Sequence, residues 1–435
     1  MSETAQFQAP SVEPYWWSDA KPSPRPPFTL PKAVDVAIVG AGYTGLSAAL
    51  VLARSGRSVL VLDAEDPGWG ASTRNGGQAS GDVKSEFVEL IENFGLTFAK
   101  DLFAEGNRAR EHLSRLIDDE GIDCDLRWCG RFNAASSAKD YDALGRETEA
   151  LNKHLGLDAE MVPREAQHQE IGSDHYFGGQ VRPDVGGLHP ALFHKGLLDS
   201  VENAGASIAS NARVTAIETE RDRFTVTTAL GPLSARDVLV ATNGYTGPVT
   251  PWLRRRIIPI QSQIIATEEL PSETMDRLMP KRRMFLDTHR LHNYFRPSAD
   301  GSRLLFGGRA GATQKDPRRS GAHLFRQVTT VFPELASTAI SHSWSGLTGY
   351  TFDKFPHVGV QDGIHFATGF CGQGVVWGPY LGHVAALRLL GEQTADTATC
   401  LFDGRAFPSR PLYYGKPWFL PAVINWYGLL DRLRL

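Results

Sequence analysis

The sequence has few cysteines and no long apolar run, and both shortages limit what the protein can be. Its 435 residues include four cysteines, Cys124, Cys129, Cys371 and Cys400, and no two of them form a Cys-x-x-Cys pair. Without that spacing we expect reduced thiols, with no disulfide framework and no bound metal. No apolar stretch is long enough to cross a bilayer as a helix.

A strong excess of charge of one sign is also missing. The formal net charge is −4, so nothing suggests nucleic acid as a partner. The N-terminal segment MSETAQFQAP lacks a basic region followed by an apolar core, so no secretory signal is expected. These features predict a cytoplasmic protein, with peripheral contact at the inner face of the membrane as an open alternative. The chain length predicts two interleaved domains.

The most informative stretch is Val34–Asp63, in which two apolar runs flank a glycine-rich turn and a helical pattern. The first run ends in Gly40-x-Gly42-x-x-Gly45, and the second ends in Asp63. This order is typical of a βαβ unit that binds a dinucleotide. Gly40 allows the tight turn, Gly42 lets the backbone approach a pyrophosphate, and Gly45 lets the helix lie close to the strand.

The acid at the end of the second run indicates which dinucleotide is bound. Asp63 is predicted to accept a hydrogen bond from a ribose 2′-hydroxyl. It is followed by Ala64 and Glu65, so no basic residue is present there to favour a 2′-phosphate. We also predict that Thr44, in the turn, and Ala64 contact the cofactor.

The next segment, Gly68–Gln78, reads GWGASTRNGGQ and contains many small residues with a single arginine. Such a composition suits a loop whose backbone touches a flat, charged ligand. A plain NAD-binding fold would begin its second βα unit here, whereas a flavin fold needs such a loop. The predicted cofactor contacts in this loop are Gly70, Ala71, Ser72, Arg74, Asn75, Gly76, Gly77 and Gln78.

With these motifs the sequence resembles the FAD-dependent D-amino acid oxidase superfamily. Within it, the sequence is most similar to the branch of γ-glutamylputrescine oxidase and related secondary-amine oxidases. The resemblance extends from about Asp35 to Gly391, nearly the whole chain. The downstream segments that carry it are Arg182–Pro190, Val238–Gly244, Phe306–Arg309, Trp344–Gly346 and Gly363–Gly374.

The resemblance implies FAD as cofactor. Relatives with covalent flavin attach it through a cysteine before a Thr-x-Asp element, which is Thr351–Asp353 here. The preceding run Ser343–Tyr350 has no cysteine, so noncovalent FAD is expected. A helix over Pro379–Leu390 is expected to direct its N-terminus at the flavin ring. The further cofactor contacts that the resemblance implies are Val214, Thr242, Gly369, Gly372, Gln373 and Gly374.

The resemblance and the periodicity together predict an α/β fold, built as an α+β composite of two domains. A Rossmann-like FAD-binding domain is expected to carry an inserted antiparallel-sheet substrate domain. Prolines in Ser11–Lys32 argue against a helix there, so we expect an extended arm anchored by Tyr15, Trp16 and Trp17. The predicted bounds are 1–32 for the arm, 33–90, 180–250 and 350–392 for the FAD domain, 91–179 and 251–349 for the substrate domain, and 393–435 for a C-terminal extension.

The function that the resemblance implies is oxidation of a C–N bond in a secondary amine or an amino-acid-like substrate. Hydride transfer to flavin N5 would leave an imine that hydrolyses, and the protein's task is orientation. Arg309 is predicted to hold a substrate carboxylate, with a structural salt bridge as the alternative. His189 is predicted to face the flavin edge, and Tyr294 and Trp344 to line the amine site, although each could be a core residue.

Two alternative functions remain at this stage. The protein could be a flavoprotein that acts as an electron-transfer or assembly partner without small-molecule turnover. An NAD-dependent dehydrogenase is disfavoured by the glycine-rich loop after Asp63. The oligomeric state is not predicted.

The electron acceptor is left open between oxygen and a quinone. The sarcosine-oxidase branch activates oxygen with a lysine, and our approximate alignment places Leu305 at that position, with no lysine nearer than Lys315.

The C-terminal tail has the pattern of an amphipathic helix from about Ala422. One interpretation is that this helix docks on its own protein or on a second subunit. The other is that it contacts a membrane interface. The residues that define this helix are Val423, Trp426, Leu430 and Leu433 on the apolar side, with Arg432 and Arg434 near the end.

Overall fold

The computed structural model describes residues 10–309, 316–391 and 399–433. The strands are β1 (Ala33–Val39), β2 (Val59–Leu62), β3 (Gln78–Ala79), β4 (Arg131–Ala134), β5 (Glu160–Val162), β6 (Gly179–Arg182), β7 (Gly186–Gly187), β8 (Ser207–Ala209), β9 (Val214–Glu220), β10 (Arg223–Thr228), β11 (Gly231–Val240), β12 (Ile258–Thr267), β13 (Met284–Asp287), β14 (Tyr294–Pro297), β15 (Leu304–Gly308), β16 (Ile340–Tyr350), β17 (His357–Gln361) and β18 (Ile364–Thr368). The helices are α1 (Tyr43–Arg54), α2 (Phe87–Phe94), α3 (Leu96–Asp119), α4 (Ala138–Leu155), α5 (Pro190–Asn203), α6 (Pro251–Arg254), α7 (Ser272–Leu278), α8 (Pro317–Val331), α9 (Gly374–Leu390) and α10 (Leu420–Leu433).

The first sheet contains the predicted βαβ unit. Strands β8, β2, β1, β11 and β18 lie side by side in this order and run parallel, with β17 antiparallel at the edge beside β18. Strands β9 and β10 form an antiparallel extension on β11. Helix α1 joins β1 to β2 and packs against α5 and α9. The Rossmann-like part of the predicted fold is therefore confirmed.

Close packing around α1 depends on two glycines. A β-carbon at Gly45 would lie 2.0 Å from the carbonyl oxygen of Gly40. A β-carbon at Gly382, on α9, would lie 2.3 Å from the carbonyl oxygen of Thr44. Both distances are far shorter than a van der Waals contact, so neither position accepts a side chain. The closeness predicted for Gly45 is present, and α9 packs closely against the first turn of α1 at Thr44.

The second sheet has the order β16-β12-β15-β14-β13-β4-β6-β5. Every pair in it is antiparallel except β13 with β4, which run parallel. Helix α8 covers one face through a cluster of buried apolar side chains, among them Ile265, Phe295, Phe306, Leu324 and Val328. This is the second sheet that the sequence predicted. The domain bounds remain a prediction. Helix α3, which those bounds assign to the substrate domain, packs against α9 in the core that also contains α1.

Two local predictions differ from the structure. Helix α9 begins at Gly374 and not at Pro379, which lies inside the helix and lacks the backbone N–H of an ordinary residue. The carbonyl of Pro379 accepts a hydrogen bond of 2.7 Å from Ser47 Oγ. In the arm, Tyr15–Ser18 form a short 3-10 helix after Pro14, although the prolines suggested an extended chain. Helices α2 and α3 are separated at Gly95, where φ is +84°.

Candidate functional site

A cavity of about 730 Å³ extends from the turn after β1 to the start of α9. Its walls come from both sheets, since Leu347 and Thr348 of β16 face the same space as the glycine-rich turn. The size is within the range of small-molecule and cofactor sites. The predicted cofactor contacts that line it are Gly40, Gly42, Thr44, Asp63, Ala64, Gly70, Ala71, Ser72, Asn75, Val214, Thr242, Gly372 and Gly374.

The acid at the end of β2 is held in the wall of this cavity by backbone donors. Asp63 Oδ2 accepts from the amide of Ala41 at 2.8 Å, and Oδ1 accepts from the amide of Glu65 at 3.0 Å. Burial raises the pKa of the Asp63 carboxyl, although these donors act in the opposite direction. Each carboxylate oxygen still has a free lone pair for a ribose hydroxyl.

The N-terminus of α1 forms the next part of the wall. Gly42 is its N-cap residue and has no side chain to cap the helix, and Gly42, Tyr43 and Thr44 line the cavity. Ser72 Oγ accepts from the amide of Tyr43 at 3.1 Å, which ties the loop after β2 to this helix end. Helix N-termini of this kind bind phosphate, so the cradle fits the pyrophosphate of FAD.

The start of α9 closes the opposite end of the cavity. Gly372 and Gly374 line it, and the N-cap residue Gln373 leaves the first amides of α9 without a side-chain partner. The positive end of a helix dipole at this place fits the ring end of FAD. Gly369, in contrast, supports the turn, because its amide donates to Asn243 Oδ1 at 3.0 Å.

Several predicted contacts in the loop after β2 do not line the cavity. Arg74 lies between the rings of Trp17 and Trp69 at 4.6 and 4.4 Å, and its Nε donates to the carbonyl of Trp69. A β-carbon at Gly77 would lie 2.3 Å from the carbonyl oxygen of Leu188. These residues fix the path of the loop. The predicted contacts outside the cavity wall are Gly45, Arg74, Gly76, Gly77, Gln78, Gly369 and Gln373.

His189 is held by groups other than a cofactor. Its Nδ1 accepts from the amide of Leu192, which caps α5, and its Nε2 lies 3.0 Å from Asp19 Oδ2 in the N-terminal arm. Burial lowers the pKa of His189, and the contact with Asp19 opposes this effect. Both ring nitrogens thus have protein partners, one in α5 and one in the arm, and a role at the flavin edge stays a prediction.

In the second sheet Trp344 is buried and Tyr294 is half-buried. Trp344 Nε1 donates to the carbonyl of Arg74 at 2.9 Å, so the indole connects β16 to the loop after β2. Tyr294 Oη lies 2.9 Å from Ser262 Oγ, and its ring packs against Gly76, where a β-carbon would be 2.9 Å away. Their assignment to the amine site remains a prediction.

Arg309 follows β15 at the end of a strand, as predicted. Its Nη1 donates to the carbonyl of Gln261 at 2.9 Å and its Nη2 donates to Tyr350 Oη at 3.0 Å. In the described part of the chain no carboxylate forms an ion pair with it, so a structural salt bridge is not seen there. Leu305, on the same strand, is buried beside Trp344, and Lys315 lies outside the described residues.

Sequence reasoning missed residues that support or line the cavity from distant parts of the chain. The buried His194 of α5 lies 2.8 Å from the carbonyl oxygen of Ala41, and burial lowers its pKa to about 4, so the ring is neutral. Tyr245 lines the cavity and its hydroxyl accepts from the amide of Leu347 at 3.2 Å. Neither residue belongs to a motif, and only the fold brings them here.

The C-terminal tail is attached to the second sheet and to the segment before it. Tyr413 Oη donates to the carbonyl of Ile257 at 2.6 Å. Asp431, on α10, accepts from the amides of Arg290 and Leu291 at 2.9 and 3.1 Å. The tail is therefore docked on its own protein through these contacts.

Part of the apolar surface of this tail still faces solvent. Trp426, which was predicted on the apolar side, is 57% exposed, and Val423 and Leu430 are half-buried. The side chains of Arg432 and Leu433, and all of Arg434, lie outside the described residues. The described helices include none that is both long and apolar enough to span a membrane. The exposed large apolar side chains of the tail are Leu412, Tyr414, Trp418, Trp426, Tyr427 and Leu429.

Comparison with known structures agrees with this geometry. Glycine oxidase from Geobacillus kaustophilus superposes with a TM-score of 0.73 at 19% identity, covering 88% of this chain and 99% of that one. L-proline dehydrogenase from P. horikoshii gives a TM-score of 0.69 at 19% identity, with 84% and 96% covered. These likenesses confirm the predicted fold.

Sequence comparison is more specific. A family model described as FAD dependent oxidoreductase, DAO, matches residues 35–388. A probable oxidoreductase OrdL from Rhizobium meliloti is 33% identical over 434 residues, covering 98% of this chain and 99% of that protein. Gamma-glutamylputrescine oxidoreductase from Escherichia coli is 32% identical over 409 residues, with 92% and 93% covered. The predicted resemblance and the predicted cofactor are confirmed, and the chain belongs to the DAO family of FAD-dependent oxidoreductases.

Proposed function

We propose that the protein oxidises a C–N bond of a secondary amine or an amino-acid-like substrate. The observation that carries the proposal is the cavity that both sheets share, because a substrate held by the second sheet would then lie against the cofactor. The names of the relatives, a gamma-glutamylputrescine oxidoreductase and a glycine oxidase, support this class of substrate. When bound, FAD supplies the acceptor for a hydride from the substrate carbon next to nitrogen, and the resulting imine hydrolyses.

The chain's own residues bind and orient. Asp63 would hold the ribose of FAD, and the amides at the N-terminus of α1 would hold the pyrophosphate. The amides at the start of α9 would face the flavin ring. Arg309 would place a substrate carboxylate with its planar, two-pronged guanidinium, and Tyr294 and Trp344 would form the wall of the amine site. His189 would keep the arm closed over this region through Asp19.

FAD is proposed to bind without a covalent bond. Neither cysteine nor histidine is present among the residues that line the cavity. Cys371, in the neighbouring turn, directs its thiol at Thr351 and the carbonyl of Gly369, and burial raises its pKa, which keeps the thiol neutral. Purified protein should therefore be yellow and release its flavin completely on acid denaturation.

The experiment that tests the function is anaerobic flavin bleaching against a panel of secondary amines and amino acids. We expect complete loss of the visible flavin absorbance with at least one member of the panel. A flavin that no member reduces, but that an artificial electron donor reduces, would favour the alternative of an electron-transfer or assembly partner. Flavin that stays with the precipitated protein would overturn only the proposal of noncovalent binding and would leave the proposed reaction unaffected.

The electron acceptor is proposed to be a quinone reached at a membrane surface. Leu305 provides no cation for superoxide-like charge, and the tail exposes Trp418 and Trp426 as well as the basic Lys416. Reduced enzyme should reoxidise slowly in air and faster with a soluble quinone. Deleting residues from 417 onward should keep the flavin but reduce co-sedimentation with anionic lipid vesicles. Fast reoxidation by oxygen with stoichiometric peroxide would contradict a quinone as the acceptor. Unchanged co-sedimentation with lipid vesicles would contradict membrane contact through the tail.

A further inference from the structure

A separate cavity of about 230 Å³ shares no lining residue with the cofactor cavity. Its walls come from the segment before β4, from the start of β13, and from the end of β14 with the turn that follows it. Its lining includes charges of both signs and one thiol, and the function proposed above uses none of them. The lining residues that matter below are Asp125, Arg127, Cys129, Arg282, Arg296 and Asp300.

Arg296 is the buried cation of this cavity, since the residue is only 4% exposed. Its Nε donates to the carbonyl of Pro297 at 3.0 Å, and its Nη1 donates to the carbonyls of Gly77 and Leu188 at 3.2 and 2.8 Å. In the described part of the chain Nη2 has no hydrogen-bond partner. The two N–H groups of Nη2 are therefore the donors that remain for a ligand in the cavity.

The other charged groups of the cavity already have partners. Asp125 Oδ1 pairs with Arg127 Nη2 at 2.5 Å, and Arg282 Nη2 pairs with Asp276 Oδ1 at 2.5 Å. Asp300 accepts from the two neighbouring serine hydroxyls at 2.5 and 2.7 Å. Among the described residues no carboxylate forms an ion pair with the buried guanidinium, so its positive charge is not balanced by direct contact.

A buried charge is costly unless an opposite charge or enough hydrogen bonds compensate it. Burial lowers the pKa of Arg296 to about 10, so the guanidinium remains cationic at neutral pH. A cationic donor binds anionic oxygen more strongly than neutral oxygen. We propose that this cavity is a second ligand site, in which Arg296 Nη2 binds a small oxyanion, a carboxylate or a phosphate group. The proposed amine oxidation does not depend on it.

Cys129 provides a reporter for this site. It lines the cavity and is half-buried, whereas Cys124, Cys371 and Cys400 are buried. Iodoacetamide should therefore alkylate Cys129 first in the folded, FAD-loaded protein, and peptide mass spectrometry measures the rate. Inorganic phosphate should slow this alkylation with a saturable dependence, and chloride at equal ionic strength should not. Acetate, titrated in the same way, shows whether a carboxylate binds more tightly than phosphate.

Two variants should change the protection in opposite directions. Arg296→Met removes the anion's donor and should raise the half-protecting phosphate concentration at least ten-fold. Asp125→Asn removes a negative charge that acts on Arg296 and frees Arg127, so it should lower that concentration about three-fold or more. Asparagine also suits the left-handed backbone at position 125, where φ is +52°. Arg277→Met, which removes an exposed arginine from α7, is the matched control and should behave as the wild type.

Two results would overturn the inference directly. One is alkylation of wild-type Cys129 that neither phosphate nor acetate slows in a saturable way. The other is a folded, FAD-loaded Arg296→Met protein that is protected as well as the wild type. Should Arg296→Met fail to fold, because its contacts with Gly77 and Leu188 are lost, Asp125→Asn decides the question. Protection of Asp125→Asn that is unchanged or weaker would overturn the inference as well.

Discussion

Gly42→Val is expected to leave the protein folded but nearly free of FAD. The backbone of Gly42, with φ −87° and ψ −176°, is one that any residue adopts, so the substitution does not strain it. The side chain itself is the problem, because its β-carbon would lie 2.8 Å from Ser72 Oγ. Valine would therefore displace the loop after β2 and occupy the space of the pyrophosphate. We expect affinity for FAD to fall at least about 100-fold, or about 2.7 kcal/mol.

The measurement is the ratio of visible flavin absorbance to protein absorbance after purification, followed by titration of the apoprotein with FAD. Gly145→Val is the matched control, because a β-carbon at Gly145, on α4, meets no atom within 4 Å. That variant should keep its full flavin content. Normal FAD binding by Gly42→Val would mean that the cofactor does not approach the backbone at this turn.

The cofactor half of the site could be predicted from the sequence because its chemistry is local. The glycines at positions 40, 42 and 45 and the acid at position 63 belong to one βαβ unit, and short connections fix their geometry. Their spacing along the chain is therefore close to their arrangement in space. The same holds for the start of α9, where Gly372 precedes the helix and Gly374 is its first residue.

The path of the loop after β2 could not be predicted from the sequence of the loop alone. Its composition suggested that all residues from Gly70 to Gln78 except Thr73 touch the cofactor, but Arg74 lies between two tryptophans, one of them from the N-terminal arm. Trp16 Nε1 donates to the carbonyl of Asn75, which is 59 residues away along the chain. A pattern in one segment cannot reveal a partner supplied by another, so the path of this loop was beyond prediction.

The substrate half depends even more on distant contacts. Arg309 could be proposed from its place after a strand, but its partner Tyr350 comes from β16. No motif joins these two positions. The sequence therefore indicated the class of reaction through family resemblance, while the contacts of Arg309 became visible only when the strands were assembled.

Asp82→Asn is expected to destabilise the protein strongly, because it breaks a buried network of charges. Asp82 pairs with Arg131 and Arg182, and the side chains of these three residues are 12%, 7% and 4% exposed. Removing one carboxylate leaves two guanidinium groups short of a partner, although Arg182 keeps Asp184 at 2.7 Å. We expect a loss of about 3 kcal/mol in the free energy of unfolding, the lower end for breaking a buried ion pair. Chemical denaturation of the FAD-loaded protein measures it.

The stabilisation by Asp82 should depend on pH and should decrease as the pH falls. Burial by itself would raise the pKa of Asp82, but the guanidinium groups of Arg182 and Arg131 outweigh burial and hold it well below its usual value. Because the unfolded chain takes up the proton first, near pH 3.9, the stabilisation by Asp82 is complete above about pH 5 and declines as the pH falls below about 4. The difference between the wild type and Asp82→Asn should therefore shrink on acidification. Asp199→Asn, which breaks an exposed pair with Lys195, should change stability little at any pH. An equally small effect of Asp82→Asn at pH 7 would show that the buried network does not stabilise the fold.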